Sequence, residues 1–391
     1  MFETPTEQFY FPVKIISGTN TTSLLGEEIK GLGCSRALLI TDKGIVSAGL
    51  VKRVTDVLEK CGIDFSLFDS VEPDPDTKIV EAAAHAAGES RSDLVVALGG
   101  GSSIDTAKAA SLLAKNKGKV VDYEGIIPTY KVQPLPIIAI PTTAGTGSEI
   151  SSAAVITDEE RHFKMVIKSG SGQIFAKTAI LDPMNLVGIP ARIAGETGID
   201  ALTHAIEASV SLKKTFVTDA FSLRAIRMVF KNLRNFVADT SDIVSAFNML
   251  NASCLAGIAM TTGGLGLIHA MAHPLGAYGK VSHGLACGLL LPHVLEHNLA
   301  SNFERYNDAA IAANPGVAAE SGGDRSRAFR ILDEVKGLLK DLHFPSTLGD
   351  AGISVRLTDP IINDAWDTYL SRINPRSTSR EEVIRIFEKV L

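Results

Sequence analysis

Apolar and polar positions divide this chain into two stretches with different rhythms. Over residues 1–190, short continuous apolar runs alternate with stretches of helical spacing. RALLIT (36–41), LVVAL (94–98) and PIIAI (136–140) are apolar almost throughout and are followed by Asp, Gly or Pro, as expected of parallel strands buried on both faces. Residues 47–61, 76–89 and 103–116 repeat apolar positions at the helical period. AAVITDEERHFKMVI reads as two strands around an acidic turn, a hairpin beside the main sheet. This βαβ alternation predicts a doubly wound, Rossmann-like α/β domain. From residue 191 the strand-like clusters stop, and helical stretches follow at 191–211, 216–238, 241–262, 284–300 and 325–341. Residues 191–391 are therefore predicted to form an all-helical domain, with Asn314-Pro315-Gly316 and SGGDRS (321–326) as loops. The cleft between two such domains is the expected place for a ligand.

Bulk properties narrow the function classes. A length of 391 residues suits two domains better than one ordinary core. A formal net charge of -6 argues against binding to nucleic acid or an anionic membrane. Cys34, Cys61, Cys254 and Cys287 form no CxxC pair, which predicts free thiols in a reducing cytoplasm. MFETPTEQFYFP lacks the basic and apolar regions of a signal peptide, and runs such as PLPIIAIP are too short to span a bilayer.

Candidate chemistry concentrates in the second half. Of nine histidines, five lie between His269 and His297. Asp200 and His204 are four residues apart in GIDALTHAIEA, as are His269 and His273 in GLIHAMAHPLG. On helices, each pair shares a face. With His283 after a glycine-containing turn, these residues offer a carboxylate and several imidazoles, the donor set of a divalent-metal site. Spacing leaves His273 open as a fifth ligand or a neighbouring proton carrier. His85 and His343 are read instead as core histidines bonded to carbonyls, as are His293 and His297.

A different signal precedes it. LVVALGGGSSIDTAK is a strand, three glycines and a helix start. Glycines let the backbone approach a ligand, and a helix N-terminus offers free N–H groups and a positive dipole to phosphate. The loop has neither GxGxxG nor GK[ST] spacing. Alone it favours phosphate over a plain tight turn, whereas Asp42 after ALLIT, taken alone, reads as a turn residue and not a ligand. A second loop, IAIPTTAGTGSE, supplies Thr142, Thr143, Thr146 and Ser148 after another strand. Two such loops at neighbouring strand ends favour a dinucleotide.

GGGSSIDTAK, PTTAGTGSE, GIDALTHAIEA, GLIHAMAHPLGAYGKVSHGLACGLLLPHV and INPRSTSREEV, in that order, resemble the signature blocks of the iron-containing (group III) alcohol dehydrogenases. The resemblance runs from about Phe9 to the C-terminus, and the histidine block is its most specific part. It implies the two-domain, dehydroquinate synthase-like fold, a metal in the cleft, and a homodimer or larger assembly. It assigns the metal, Fe2+ with Zn2+ as the alternative, to Asp200, His204, His269 and His283, and puts His273 near substrate and nicotinamide. The pyrophosphate of NAD(P) falls on Gly100, Gly101 and Ser102, with Asp105 close by. Thr142, Thr146 and Lys164 line the cofactor path, and Asp74 lies near the adenosine. Asp42 matches the acidic residue that favours NAD(H) over NADP.

The reaction so implied is hydride transfer between nicotinamide and a small primary alcohol or aldehyde. Departures from the family text, among them RIAGETGID in the helix before Asp200 where LTAATGMD-like text is commoner, keep any one relative's substrate from carrying over. Leu370 stands where a cysteine is common, and Ala153 and Ala154 occupy hairpin positions that are polar in some diol-specific relatives. Three rivals remain: a glycerol-dehydrogenase-like polyol enzyme, a dehydroquinate-synthase-like lyase, and a metal-stabilised binding protein. The lyase needs several Lys and Arg at its substrate, and the histidine block supplies chiefly Lys280. The binding protein leaves both strand-end loops unexplained.

Overall fold

The computed structural model describes Glu7 and residues 9–391. Residues 1–6 and 8, which carry most of the expectation about a leader segment, lie outside them. The main sheet is built from β1 (Lys14–Ser17), β2 (Arg36–Ile40), β3 (Asp64–Phe68), β4 (Leu94–Gly99), β6 (Ile137–Pro141) and β9 (Thr178–Leu181), in the order β1-β9-β6-β4-β2-β3. Every pairing in it is parallel. A smaller sheet joins β5 (Gly125–Ile127) to the hairpin β7 (Ala153–Asp158) and β8 (Phe163–Ser169) in the order β5-β8-β7.

Alternation within the central strands covers both faces. Ala37, Leu39, Leu94, Val96, Leu98, Ile138 and Ile140 point to one side and meet Leu25, Ile29, Val51, Val54 and Leu58 of the helices Leu25–Gly31 and Leu50–Lys60. Leu38, Ile40, Val95, Ala97, Ile137 and Ala139 point to the other. There they join one apolar cluster that runs through the helices Thr77–Glu89 and Gly101–Leu113 into the second half of the chain. The apolar strand runs are thus explained by burial on both faces.

After Leu181 every α-helix or β-strand among the described residues is helical. Ala191–Val210, Phe216–Ala238 and Ile243–Gly263 pack on one another. Ile243–Gly263 is long and apolar enough to cross a membrane by length and composition, but most of its apolar window is buried inside the fold. Its hydrophobicity belongs to the core. His283–Asn298 packs on both Ala191–Val210 and Leu267–Gly279. Between them Lys280 adopts a left-handed conformation, φ 52°, which reverses the chain and brings His283 back towards His269.

Several sequence expectations are corrected. His85 and His343 are exposed and not core residues; His85 lies 3.4 Å from the surface Glu89. His293 and His297 are half-buried, and His297 Nε2 contacts the Thr378 hydroxyl at 3.1 Å, not a carbonyl. SGGDRS ends in structure, since the short helix Asp324–Ala328 begins inside it.

Candidate active site and metal centre

Three helices deliver the metal-type residues. Asp200, His204 and Glu207 share one face of Ala191–Val210 at four- and three-residue spacing. His269 and His273 stand one turn apart on Leu267–Gly279, and His283 opens His283–Asn298. Ligand atoms of Asp200, His204, His269 and His283 all lie within 4.8 Å of one another. His273 is outside that set, with its ring 6.1 Å from His269 and 5.6 Å from His283. It is a neighbour of the cluster and not a fifth corner.

The cluster fits a metal. Asp200 Oδ1 is buried without a hydrogen-bond partner. It faces Nε2 of His204, His269 and His283 at 3.5, 3.5 and 3.4 Å. Bonds of roughly 2.1 Å to a tetrahedral ion put neighbouring donors about 3.4 Å apart. Burial pushes the Asp200 carboxyl up, but His204 and His283 outweigh it and hold it well below the usual carboxylate range. Burial takes His204 down to about 4 despite Asp200, so it stands as a neutral donor. A cation held between them offsets the desolvation that the fold imposes on both groups.

Two of the three rings are oriented from behind. His204 Nδ1–H donates to the Gly145 carbonyl at 3.2 Å, tying the cluster to the second strand-end loop. His269 Nδ1–H donates to Glu207 Oε2 at 2.5 Å. Glu207 Oε1 accepts from the Ile268 amide at 2.7 Å, so both its oxygens are used. These bonds turn Nε2 of His204 and His269 inward. The Cys287 thiol packs 3.9 Å from His269 Nε2 and 3.7 Å from His283 Nε2. Asn374, from the late INPRSTS segment, accepts from the Leu267 amide at 3.3 Å and supports the start of the helix that carries His269.

The glycine loop faces the same space. Gly100 precedes the helix Gly101–Leu113, and a Cβ on Gly101 would lie 2.8 Å from Thr146 Cγ2, so the two strand-end loops touch where only glycine fits. Beneath them, fully buried Lys108 donates to Ser148 and Ser151 hydroxyls at 2.8 and 2.9 Å and to the Ala153 carbonyl at 2.7 Å. Asp105 accepts from the Val155 amide at 3.0 Å and from the Ser148 hydroxyl. Glu149, also buried here, is pushed by burial up to about 7. Neither Lys108 nor Glu207 was singled out in the sequence, although both lie inside quoted motifs.

One cleft of about 560 Å³ unites these parts. Its wall includes Asp74, Gly101, Ser102, Asp105, Thr146 and Lys164 together with the four metal-type residues and His273. Asp42, Gly100 and Thr142 are not on that wall. Asp42 Oδ1 caps the helix Lys43–Ser47 through the Ile45 amide at 3.0 Å, and its Oδ2 stands 3.5 Å from the Ser103 hydroxyl. Asp74 pairs with Lys164. Half-buried His273 is held well below the ordinary histidine range by burial and by His283, His269 and Lys164, and is neutral. Met260, Leu265 and Leu370 add apolar surface.

The chain is 34% identical over 383 residues, 98% of its length and 99% of the relative's, to the NAD-dependent methanol dehydrogenase of Bacillus methanolicus. Its fold is similar to a crystal structure of 1,3-propanediol oxidoreductase, with TM-score 0.94, 35% identity, and coverage of 99% and 100%. It is also similar to sulfoacetaldehyde reductase from Bifidobacterium kashiwanohense in complex with NAD+, with TM-score 0.87, 27% identity, and 98% of each chain covered. Residues 12–183 match the family described as "Iron-containing alcohol dehydrogenase", and residues 194–391 match "Fe-containing alcohol dehydrogenase family, C-terminal". The chain therefore belongs to the iron-containing alcohol dehydrogenase family.

Proposed function

We propose that this protein interconverts small primary alcohols and aldehydes with NAD(H), using a metal held by Asp200, His204, His269 and His283. The observation that carries the reading is the buried, unpartnered Asp200 oxygen within 3.5 Å of three imidazole nitrogens. Three imidazoles and a carboxylate suit Fe2+ or Zn2+; iron, the metal of the family's name, is the first assignment. When bound, the metal supplies Lewis acidity to the substrate oxygen and the nicotinamide supplies or accepts the hydride.

The chain's own residues do the rest. Gly100, Gly101 and Ser102 receive the pyrophosphate at the N-terminus of Gly101–Leu113. Asp105 and Lys108 hold the Thr142–Ser148 loop against it, which leaves Thr146 beside Gly101. Lys164 and Asp74 extend the cofactor wall, and Asp42 stands against a 2′-phosphate. Neutral His273 takes the alcohol proton in oxidation and returns it in reduction. Met260, Leu265 and Leu370 keep water from the reacting carbon. The working unit is two domains divided at residue 190, assembled as a homodimer or larger in a reducing cytoplasm. The relatives' names run from methanol and 1,3-propanediol to sulfoacetaldehyde, so family membership alone does not choose between neutral and charged substrates.

His269→Ala tests the reading. Metal content by elemental analysis and turnover of an aldehyde with NADH should both collapse, while NADH binding by fluorescence stays near that of the wild type. Full turnover by a metal-free variant would refute it.

A further inference from the structure

The hairpin presents one row of side chains to the cleft. Thr157 pairs with Lys164, Val155 with Val166 and Ala153 with Lys168, and all six line the cavity. Its two lysines meet different surroundings. Lys164 pairs with Asp74, and its Nζ lies 3.3 Å from where a Cβ on Gly276 would stand, beside the helix carrying His273. Lys168, four residues further along β8 and so about 13 Å away, has only Ala153 directly opposite on β7.

Every carboxylate on the cleft wall is already engaged. Asp74 holds Lys164, and Asp105 holds Ser148 and the Val155 amide. Glu124 meets Arg161 at 2.8 Å, and Asp364 accepts from the Tyr278 hydroxyl at 2.8 Å. Asp200 faces the imidazoles. Among the described residues the Lys168 side chain makes no hydrogen bond or ion pair, so the cleft carries one half-buried ammonium without a protein partner. Burial alone pushes it below the usual lysine range. A partly desolvated ammonium facing a cleft is a ready partner for an anionic group. The cavity also carries apolar Val155, Val166, Met260, Leu265 and Leu370.

We infer that Lys168 docks a negative group at the far end of the substrate, so that the preferred substrates are short aldehydes and alcohols ending in a carboxylate, sulfonate or phosphonate. The inference rests on the dehydrogenase chemistry proposed above. A short hydrocarbon linker would lie along the apolar wall, with its reactive end at the metal cluster and its anionic end at the ammonium. The cofactor's pyrophosphate has its own receptor in the glycine loop and helix N-terminus.

The metal-loaded enzyme is assayed with NADH on three aldehydes: succinic semialdehyde, its methyl ester and butanal. The readout is the ratio of kcat/KM for the semialdehyde to that for the ester, so a general loss of activity cancels. The wild type should favour the anion about 10- to 100-fold, the span of a hydrogen bond to a charged group. Lys168→Met should abolish the preference, chiefly through KM, and Lys168→Arg should keep it. A wild-type ratio near one, or an undiminished ratio in Lys168→Met, overturns the inference while turnover of butanal leaves the dehydrogenase reading standing. No turnover of any aldehyde sinks both. Weaker NADH binding by Lys168→Met with the ratio intact assigns the ammonium to the cofactor's phosphates, and also overturns it.

Discussion

At the scale of single residues, the pair His269–Glu207 matters as much as the ligands themselves. The 2.5 Å contact with His269 and the second bond from the Ile268 amide use both oxygens of Glu207 as acceptors. The imidazole is then fixed with Nε2 facing inward. Glu207→Gln leaves a side chain of the same size that offers one acceptor in place of two. It should weaken metal affinity about 10- to 100-fold, measured by competition with a chelator; an unchanged metal Kd would mean that the carboxylate serves only the helix start. The cluster was legible because a four-residue spacing recurs in two segments, although His273, the second member of one pair, falls outside it. Glu207 was not, because its meaning depends on His269, 62 positions away in sequence. Lys108 was hidden for the same reason: a lysine on a helix reads as solvated until the two loops close over it.

Among the elements, the buried strands and long helices were readable and the edges were not. β2, β4 and β6 carry apolar runs because helices cover both faces, and the hairpin shows an acidic turn between alternating strands. β3 is half-exposed and mixed in polarity, and β5 is three residues long, so neither rises above a loop in periodicity. The partnership of β5 with the hairpin was therefore invisible. Asp42 is a case where one element end does two jobs. Its Oδ1 caps the helix Lys43–Ser47, while Oδ2 points to Ser103 beside the glycine loop. Asp42→Gly should raise the NADPH-to-NADH ratio of kcat/KM at least about tenfold, since like charges face to face cost on the order of a few kcal/mol. Loss of the cap to glycine costs only about a few tenths of that unit, so stability should hardly change. An unaltered ratio would leave Asp42 with its capping role alone.

For the whole molecule, the sequence's two rhythms become two architectures that share a core. One face of the parallel sheet belongs to the same apolar cluster as the helical half, and the His204–Gly145 bond joins the metal centre to a strand-end loop. The four metal-type residues come from three helices, so an ion bound as proposed would tie Ala191–Val210, Leu267–Gly279 and His283–Asn298 together in the native state alone. Binding that is confined to the folded form stabilises it by about 4 kcal/mol when free metal exceeds Kd a thousandfold. With the unfolding entropy of a chain this long, that corresponds to about 5 °C in Tm. Chelation should therefore lower Tm by about that amount, and because the core is continuous, both halves should move together. The only tryptophan, Trp366, reports on the helical half, and far-ultraviolet circular dichroism reports on the whole. Coincident transitions by the two probes, shifting together on metal removal, are the expected result. A second transition in circular dichroism that ignores the metal would mean that the sheet and the helical half unfold independently, and that the shared cluster does not couple them.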